Sequence, residues 1–227
     1  MPAAPRADGF ADEQSPRTLI HSVVAFPGKV WDVRSEGFSL EAGGEEIVRE
    51  YIDHPGAVAV LVMNEAGQVL LIRQYRHPVR MMLWEIPAGL LDEPGEDFQA
   101  AAQRELAEEA DLRAGRWHVL IDLFLSPGSS SEALRIYLAR DITAVPAADR
   151  HTRAHEEAEI EFLWVDLDTA VQAVLEGRIH SPSASAAILA AYAAHATDFD
   201  ALRPAEAPWP EHPGQHRTRP AGSAPRQ

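Results

Sequence analysis

The segments AVAVLVMN at 57–64 and QVLLIRQYR at 68–76 are both strongly β-favouring and are separated by only three residues. Two runs of this kind joined by a short turn containing Gly predict a β-hairpin. Further segments of strand length follow at 119–125, 133–140 and 160–165. Because these strands recur without a repeated strand–helix period, their order predicts a mixed α/β or α+β sandwich rather than a doubly wound parallel sheet.

Three helices are predicted among and after these strands. The first spans residues 97–110. The second has Asp166 as its N-cap and stops near Gly177, since Asp favours helix starts and Gly favours helix ends. The third opens at Ser181-Pro182 and runs to about His195, because Pro is well suited to the first helical position.

The ends of the chain differ in composition from its centre. Residues 1–16 are rich in Ala, Pro and small polar groups, and residues 201–227 are rich in Pro without an apolar period. Neither end carries enough apolar surface to offset the entropy of ordering, so both are expected to be disordered. Short apolar runs broken by Gly and Pro predict a small region of antiparallel strands at 17–56, followed by the main domain at 57–200.

The composition limits the classes of partner. The net charge of -15 argues against nucleic acid as the main partner, because neutralising phosphates requires clustered Lys and Arg, and it favours a small ligand or a metal cation. The absence of cysteine excludes disulfides and thiolate sites and suits a reducing cytosol. No apolar run has the length of a membrane span or of a signal peptide core, so a cytoplasmic protein without a membrane partner is expected.

The first predicted helix carries Glu105, Glu108 and Glu109 within five residues. Like charges three or four residues apart face each other and destabilise a helix by roughly a few tenths of a kcal/mol per pair. One interpretation is a solvated face on which Arg104 pairs with Glu108. The other is a cation site, because Glu105 and Glu109 place two hard oxygen ligands on one face, and Mg²⁺ binds few protein carboxylates while keeping waters and substrate phosphates.

The residues around this helix resemble the Nudix hydrolase box, which reads G, five residues, E, seven residues, then R-E-U-x-E-E-x-G-U, where U is aliphatic. Two positions depart from it: six residues separate Gly89 from Glu96, and Asp111 stands at the second glycine. Because Asp tolerates a left-handed helix end, Asp111 is expected to shift a turn without removing a ligand. The matching residues are Gly89, Glu96, Arg104, Glu105, Leu106, Glu108, Glu109 and Leu112.

The resemblance extends to HPGAVAVLVMN, RQYR, WEIPAG and SPGSSSE, which are similar to the ADP-ribose pyrophosphatase branch, and it covers roughly residues 20–197. Pro127 lies where that branch carries a proline, although by itself it is simply a turn residue before Gly128. The resemblance implies a Nudix α/β/α sandwich around a mixed sheet. It also implies a homodimer in which the N-terminal β region exchanges between subunits.

By resemblance, Gly89, Glu96 and Arg104 are structural residues of the box. The general base of this branch comes from an acidic loop, which corresponds here to AHEEAEI, with Glu157 as the first choice and Glu156 as the alternative. An ordinary solvated loop is the other interpretation of this stretch. The resemblance implies four metal-binding groups: the backbone carbonyl of Ala88 and the carboxylates of Glu105, Glu109 and, less directly, Glu108.

Arg76 is implied to face the adenosine diphosphate part of the substrate, since its planar guanidinium can hold a phosphate or stack on a base. An exposed arginine at the end of a strand is the alternative. Loop residues near Gly128 are assigned to the terminal ribose, though solvation of the loop explains them almost as well. The full set of implied substrate contacts is Arg49, Arg76, Glu85, Leu90, Ser126, Gly128 and Glu132.

The resemblance therefore implies Mg²⁺-dependent hydrolysis of the diphosphate bond of ADP-ribose to AMP and ribose 5-phosphate, with Mn²⁺ as an alternative ion. Two other functions stay open. The first is a pyrophosphatase acting on another nucleoside diphosphate sugar or on a dinucleotide such as NADH. The second is a Nudix-fold sensor that binds such a nucleotide without cleaving it, although such sensors usually lose glutamates that this chain keeps.

Overall fold

A computed structural model describes residues 11–93, 95–153 and 159–215 of the 227-residue chain. The described residues divide into two compact units, one formed by residues 11–53 together with 210–215, and the other lying within His54–Trp209. Within the described part of the chain, no helix has the length and apolarity needed to cross a membrane.

The smaller unit contains an antiparallel sheet of three strands in the order β1-β2-β3. The strands are β1 (Thr18–Phe26), β2 (Asp32–Ser39) and β3 (Ile47–Asp53). This arrangement confirms the small antiparallel β region that the Gly and Pro breaks predict. Several apolar side chains of β1 are exposed, namely Leu19, Ile20, Val23, Val24 and Phe26.

The larger unit contains a five-stranded mixed sheet, a three-stranded antiparallel sheet and three α-helices. Its elements are β4 (Ala57–Val62), β5 (Gln68–Arg76), β6 (Met81–Glu85), β7 (Ala88–Leu90), α1 (Phe98–Ala110), β8 (Leu112–Phe124), β9 (Ala133–Ala144), β10 (Glu161–Asp166), α2 (Leu167–Leu175), α3 (Pro182–His195) and β11 (Arg203–Pro204). The mixed sheet has the order β11-β8-β9-β4-β7, in which β4 runs parallel to β9 and antiparallel to β7. The second sheet has the order β10-β5-β6.

Strand β4 is buried on both faces, which explains its continuous apolar sequence. Ala57, Ala59 and Leu61 belong to a core cluster with residues of α2 and α3. The alternate residues Val58 and Val60, with Val62, belong to a second cluster that contains Leu106 of α1. Since successive side chains of a strand point to opposite faces, the sheet lies between α1 on one side and α2 with α3 on the other. The mixed α/β/α sandwich is thus confirmed.

The three helices begin and end within about two residues of their predicted limits. Strands β6 and β7 are absent from the prediction because they have only five and three residues and no apolar alternation. Strand β8 begins at Leu112 rather than 119, directly after α1, because its first half is polar but pairs with the far end of β9.

The sequence predicts a disordered tail from residue 201 onward. This prediction is wrong for residues 203–209, which are ordered within the larger unit. Strand β11 pairs with β8, and Trp209 is only 4% exposed. The guanidinium of Arg135 lies 5.0 Å from the ring centre of Phe98 and 5.4 Å from that of Trp209, and it donates to the carbonyl of Ala207 at 2.6 Å. A pattern search misses this because a buried arginine, not an apolar period, holds the segment.

We predict that Arg135→Met lowers the free energy of unfolding by about 3 kcal/mol, because Asp122 loses its two-pronged partner at 2.7 and 2.9 Å and keeps only the partly exposed Arg203, at 2.8 Å. Urea denaturation followed by tryptophan fluorescence measures the change. Arg116→Met is the matched control, since the Arg116–Asp141 pair is exposed and solvent screens it, so its loss should change stability little. Equal losses in both variants would contradict a special role for the buried pair.

Candidate active site

Strand β7 and helix α1 meet at the acidic helix face singled out in the sequence. The strand is held against β4, where Gly89 pairs with Val58 and Ala88 with Ala59. The helix begins after Asp97, whose side-chain Oδ1 accepts a hydrogen bond from the Ala100 amide at 2.7 Å. Both partners of the site are therefore fixed by backbone pairing and capping, so their side chains meet in a defined geometry.

Glu105 lies directly against Gly89. A Cβ atom at position 89 would come within 1.9 Å of Glu105 Cδ and 2.0 Å of Oε1, which no real contact permits. The need for glycine at the start of the box is therefore steric: only a residue without a side chain lets the Glu105 carboxylate approach the backbone of β7.

Glu109, one turn further along α1, contacts the neighbouring residue of the same strand. Its side chain is buried at 8% exposure, and its Oε2 accepts a hydrogen bond from the Ala88 amide at 2.9 Å. Two carboxylates four residues apart on α1 thus converge on successive residues of β7. This is the pair of hard oxygen groups that the helical spacing predicts.

Arg104 connects the acidic groups of the helix with the loop before it. Its Nε and one terminal nitrogen donate to the two carboxylate oxygens of Glu96 at 3.1 and 3.0 Å. The other terminal nitrogen donates to Glu105 Oε1 and lies 3.5 Å from Glu108 Oε2. The hydrogen bonds to Glu96 and the charge of Glu105 raise the pKa of Arg104, although burial opposes the shift, so it is a permanent cation here.

One arginine does not balance the negative charge around Glu105. Burial raises the pKa of the Glu105 carboxyl, Arg104 opposes this, and the charges of Glu108 and Asp92 raise the pKa further. The site thus has an excess of negative charge that a bound cation would relieve. Among residues 11–93, 95–153 and 159–215, no group of three or more His, Cys, Asp or Glu side chains is arranged as a metal cluster.

The two-carboxylate arrangement nevertheless fits a hard divalent cation. Mg²⁺ dehydrates reluctantly and is commonly held by one or two carboxylates together with substrate phosphates, so a closed protein cage is not required. Glu105 and Glu109 supply the carboxylates next to the Ala88–Gly89 backbone, and Glu108 is more exposed on the same helix.

The two departures from the Nudix box lie before and after α1. In the six-residue loop, Gly95 has φ of 83°, and the Glu96 amide donates to the carbonyl of Glu93 at 3.3 Å. Asp111 is the C-cap of α1 with φ 54° and ψ 33°, the left-handed conformation expected at the replaced glycine. The helix therefore ends where the box requires.

Arg76 and Glu85, both predicted to contact substrate, form one ion pair at the ends of β5 and β6. The guanidinium donates to Glu85 through two nitrogens at 3.0 and 2.6 Å, and Gln74 donates to the same carboxylate at 3.2 Å. Glu85 is buried while nearly half of the Arg76 side chain is exposed. Sequence reasoning missed Gln74, since an alternating polar residue in a strand gives no signal of this contact.

The loop after β8 is shaped by its own hydrogen bonds. Ser126 has φ of 64°, and its carbonyl accepts from the amides of Ser129 and Ser130 at 2.9 and 3.0 Å. At the end of this loop, the carboxylate of Glu132 lies 4.0 Å from Nε2 of His54. Gly128 occupies an open part of the loop, with no atom within 4 Å of where a Cβ would be.

The remaining predicted residues lie in different parts of the chain. Leu90 is half-buried and ends β7, next to Gly89. Arg49 lies in β3 of the smaller unit, where its guanidinium donates to the carbonyl of Val48 at 2.8 Å. Glu156 and Glu157, the two candidates for the base, lie outside the described residues. A cavity of about 550 Å³ borders the acidic helix and is lined by Arg104, Ala107, Glu108, Asp149, Arg150, His151 and Thr152.

Comparison with known proteins agrees with this geometry. The NUDIX domain matches residues 53–186. An ADP-ribose pyrophosphatase of Mycobacterium tuberculosis is 38% identical over 86% of this chain and 91% of its own length. An ADP-ribose pyrophosphatase of Bacillus subtilis is 32% identical over 72% of this chain and 85% of its own length. The crystal structure of an ADP compounds hydrolase matches with a TM-score of 0.65 at 20% identity, covering 83% of this chain and 98% of that one, which supports the fold.

The chain therefore belongs to the Nudix family. Its relatives place it with the Nudix hydrolases, in the neighbourhood of the ADP-ribose pyrophosphatases, and confirm the resemblance seen in the sequence. Two features of the structure agree with this family: the fold, and the acidic helix that packs against β7.

We predict that Gly89→Ala reduces hydrolytic turnover by on the order of 100-fold, because the new methyl group displaces the Glu105 carboxylate. Steady-state rates on a panel of nucleoside diphosphate derivatives give the readout. Gly115→Ala is the control, since a Cβ there makes its nearest contact at an ordinary 3.4 Å and should leave turnover unchanged. A Gly89→Ala enzyme with full turnover would show that the close approach has no catalytic importance.

Proposed function

We propose that the protein catalyses the Mg²⁺-dependent hydrolysis of the diphosphate bond of ADP-ribose, giving AMP and ribose 5-phosphate. The observation that carries this proposal is the convergence of Glu105 and Glu109 on the Ala88–Gly89 backbone. The substrate is supported by the names of the relatives at 38% and 32% identity, which both span most of this chain.

The residues present assign a role to each part of the acidic site. Glu105, Glu109 and the carbonyl of Ala88 would hold Mg²⁺, with Glu108 as a further carboxylate and Mn²⁺ as an alternative ion. Bound there, the ion would neutralise charge on the diphosphate and align the attacking water. Arg104 holds the Glu105 carboxylate in place through Glu96, and the Ala88 amide holds that of Glu109.

Arg76 is the proposed contact for the adenosine diphosphate part of the substrate. Its guanidinium is oriented by Glu85, which is itself buried and held by Gln74, so the exposed side of the fork is presented in a fixed plane. A planar, oriented guanidinium suits a phosphate or the face of a base. Leu90, Ser126, Gly128, Glu132 and Arg49 complete the proposed substrate contacts.

Glu157 is the proposed general base and Glu156 the alternative. Both follow Arg153, which is anchored at the C-terminal end of α1 by a hydrogen bond from its Nε to the carbonyl of Glu108 at 3.1 Å. Both are close to that anchor in sequence, and a general base must come within reach of the water that attacks phosphorus.

A homodimer is proposed on the basis of the smaller unit. Leu19, Ile20, Val23 and Phe26 of β1 are each more than half exposed, and an apolar row of this kind is suited to burial by a second copy of the chain. The cysteine-free composition supports a cytoplasmic location.

We predict that the protein with Mg²⁺ converts ADP-ribose to AMP, and that Glu105→Gln lowers kcat by at least about 100-fold, because a neutral amide is a poor ligand for a hard cation. AMP is measured by ion-pair chromatography. GDP-mannose and NADH are assayed as alternative substrates, and a sample treated with EDTA tests the need for the metal. Glu65→Gln, in the turn between β4 and β5, is the control.

The panel separates the rival functions. Cleavage of another derivative in preference to ADP-ribose would overturn the substrate but keep the class of enzyme. Tight binding of ADP-ribose by the parent protein without any cleavage would instead support a sensor.

We further predict that Glu157→Gln lowers kcat by roughly 100- to 10,000-fold with little change in KM, because a general base acts on the attacking water rather than on substrate binding. The residual rate of Glu157→Gln should keep rising with pH in the alkaline range, because hydroxide then replaces the lost base. Glu156→Gln is the neighbouring control. The reverse pattern, with Glu156→Gln inactive, would transfer the role to Glu156.

A further inference from the structure

The end of the acidic helix has an unusual charge arrangement. Its last turn contains no basic residue, but it carries Glu108 and Glu109 and is capped by Asp111. A helix C-terminus has a partial negative charge and favours cations, so three carboxylates there are unfavourable. Arg104 of the same helix lies 3.5 Å from Glu108 Oε2, and a second positive charge comes from elsewhere in the chain.

Arg153, 42 residues further along, supplies that charge. Its terminal nitrogen donates to Asp111 Oδ2, and its Nε donates to the backbone carbonyl of Glu108 at 3.1 Å. The guanidinium also lies 5.3 Å from the ring centre of Phe162. One side chain thus satisfies a free helix carbonyl, pairs with the capping carboxylate and packs on an aromatic ring.

The backbone of Asp111 is held as firmly as its side chain. Its amide donates to the carbonyl of Leu106, and its carbonyl accepts from the Val145 amide at 2.8 Å. Both contacts are available to any residue that tolerates the left-handed conformation, including glycine. The Asp111 carboxylate therefore adds one thing that glycine cannot provide, which is the ion pair with Arg153.

We propose that Asp111 and Arg153 are positioning residues for hydrolysis, an inference that rests on the proposed function. The pair fixes the turn of α1 that carries Glu108 and Glu109, because Arg153 binds both the Asp111 carboxylate and the Glu108 carbonyl. Small displacements of reacting groups cost large factors in rate, so loss of the anchor should lower kcat.

The two partners differ in what their removal leaves behind. Asp111→Gly keeps a residue suited to the left-handed cap and leaves Arg153 its contacts with the Glu108 carbonyl and Phe162. Arg153→Met removes the partner of the Asp111 carboxylate, whose Oδ1 is already buried and has no partner among the described residues. An unpaired buried charge is strongly destabilising, so Tm should fall more in Arg153→Met than in Asp111→Gly. If the pair positions the site, the two variants should nevertheless lose similar factors in kcat.

The test combines kinetics with a substrate-free measurement. We expect kcat on the best substrate of the panel to fall about tenfold in Asp111→Gly and in Arg153→Met, with KM within about twofold and no further loss in the double variant. Asp111→Asn should recover most of the rate, since Asn tolerates the left-handed backbone and offers Arg153 an acceptor. Asp141→Gly is a matched control: Asp141 also has a left-handed φ, of 57°, and pairs with Arg116, but in the β8–β9 hairpin.

Amide hydrogen exchange gives the second readout. In Asp111→Gly, exchange in peptides covering 106–112 and 145–153 should accelerate by about tenfold relative to the parent protein, and Asp141→Gly should leave it unchanged. Unchanged exchange, unchanged kcat in Asp111→Gly, or an equal effect of Asp141→Gly would each overturn the proposal. If the parent protein cleaves no member of the panel, the proposed function fails, and hydrogen exchange still decides whether the pair positions this region.

Discussion

Burial of β4 on both faces is the constraint on which the larger unit depends. One set of its side chains packs toward α1 and the alternate set toward α2 and α3, so a shift of one residue would exchange the two cores. This fixed register also fixes β7, which pairs with β4 and carries Ala88 and Gly89. The position of the acidic site is thus a consequence of core packing. The backbone of Ala88 and Gly89 is held by strand pairing, independently of the charged side chains.

Each carboxylate of the site has at least one donor, but a single arginine serves several of them. Arg104 is shared by Glu96, Glu105 and Glu108, the Ala88 amide holds Glu109, and Arg153 compensates the helix end. In partly buried surroundings, an unpaired carboxylate would be costly or would take up a proton. Burial raises the pKa of Glu105, and the charges of Glu108 and Asp92 raise it further although Arg104 opposes them. A divalent cation bound there would stabilise the charged carboxylate.

Sequence patterns predicted the parts of the structure that follow from local rules. Helices α2 and α3 were predicted from capping residues, the hairpin from its short turn, and the acidic pair from helical spacing, because each depends on residues close together in the chain. Contacts between distant residues were not predictable in this way. Arg135 with residues 203–209, Glu85 with Gln74, and Arg153 with Asp111 are separated by many positions or lie on different strands, so no local period records them. Charged side chains buried by such contacts are especially hard to predict from sequence, since their residue types are usually exposed.

Asp111 shows how a departure from a motif can satisfy the same physical requirement. The box position needs a left-handed backbone, which glycine adopts without strain and aspartate tolerates at a modest cost. Aspartate adds a negative charge at a helix end that already disfavours one, so a cation nearby stabilises it. Arg153 is that cation, and it also binds the Glu108 carbonyl. The motif position and a residue 42 places later therefore act as one unit, and neither can be interpreted from its own residue type alone.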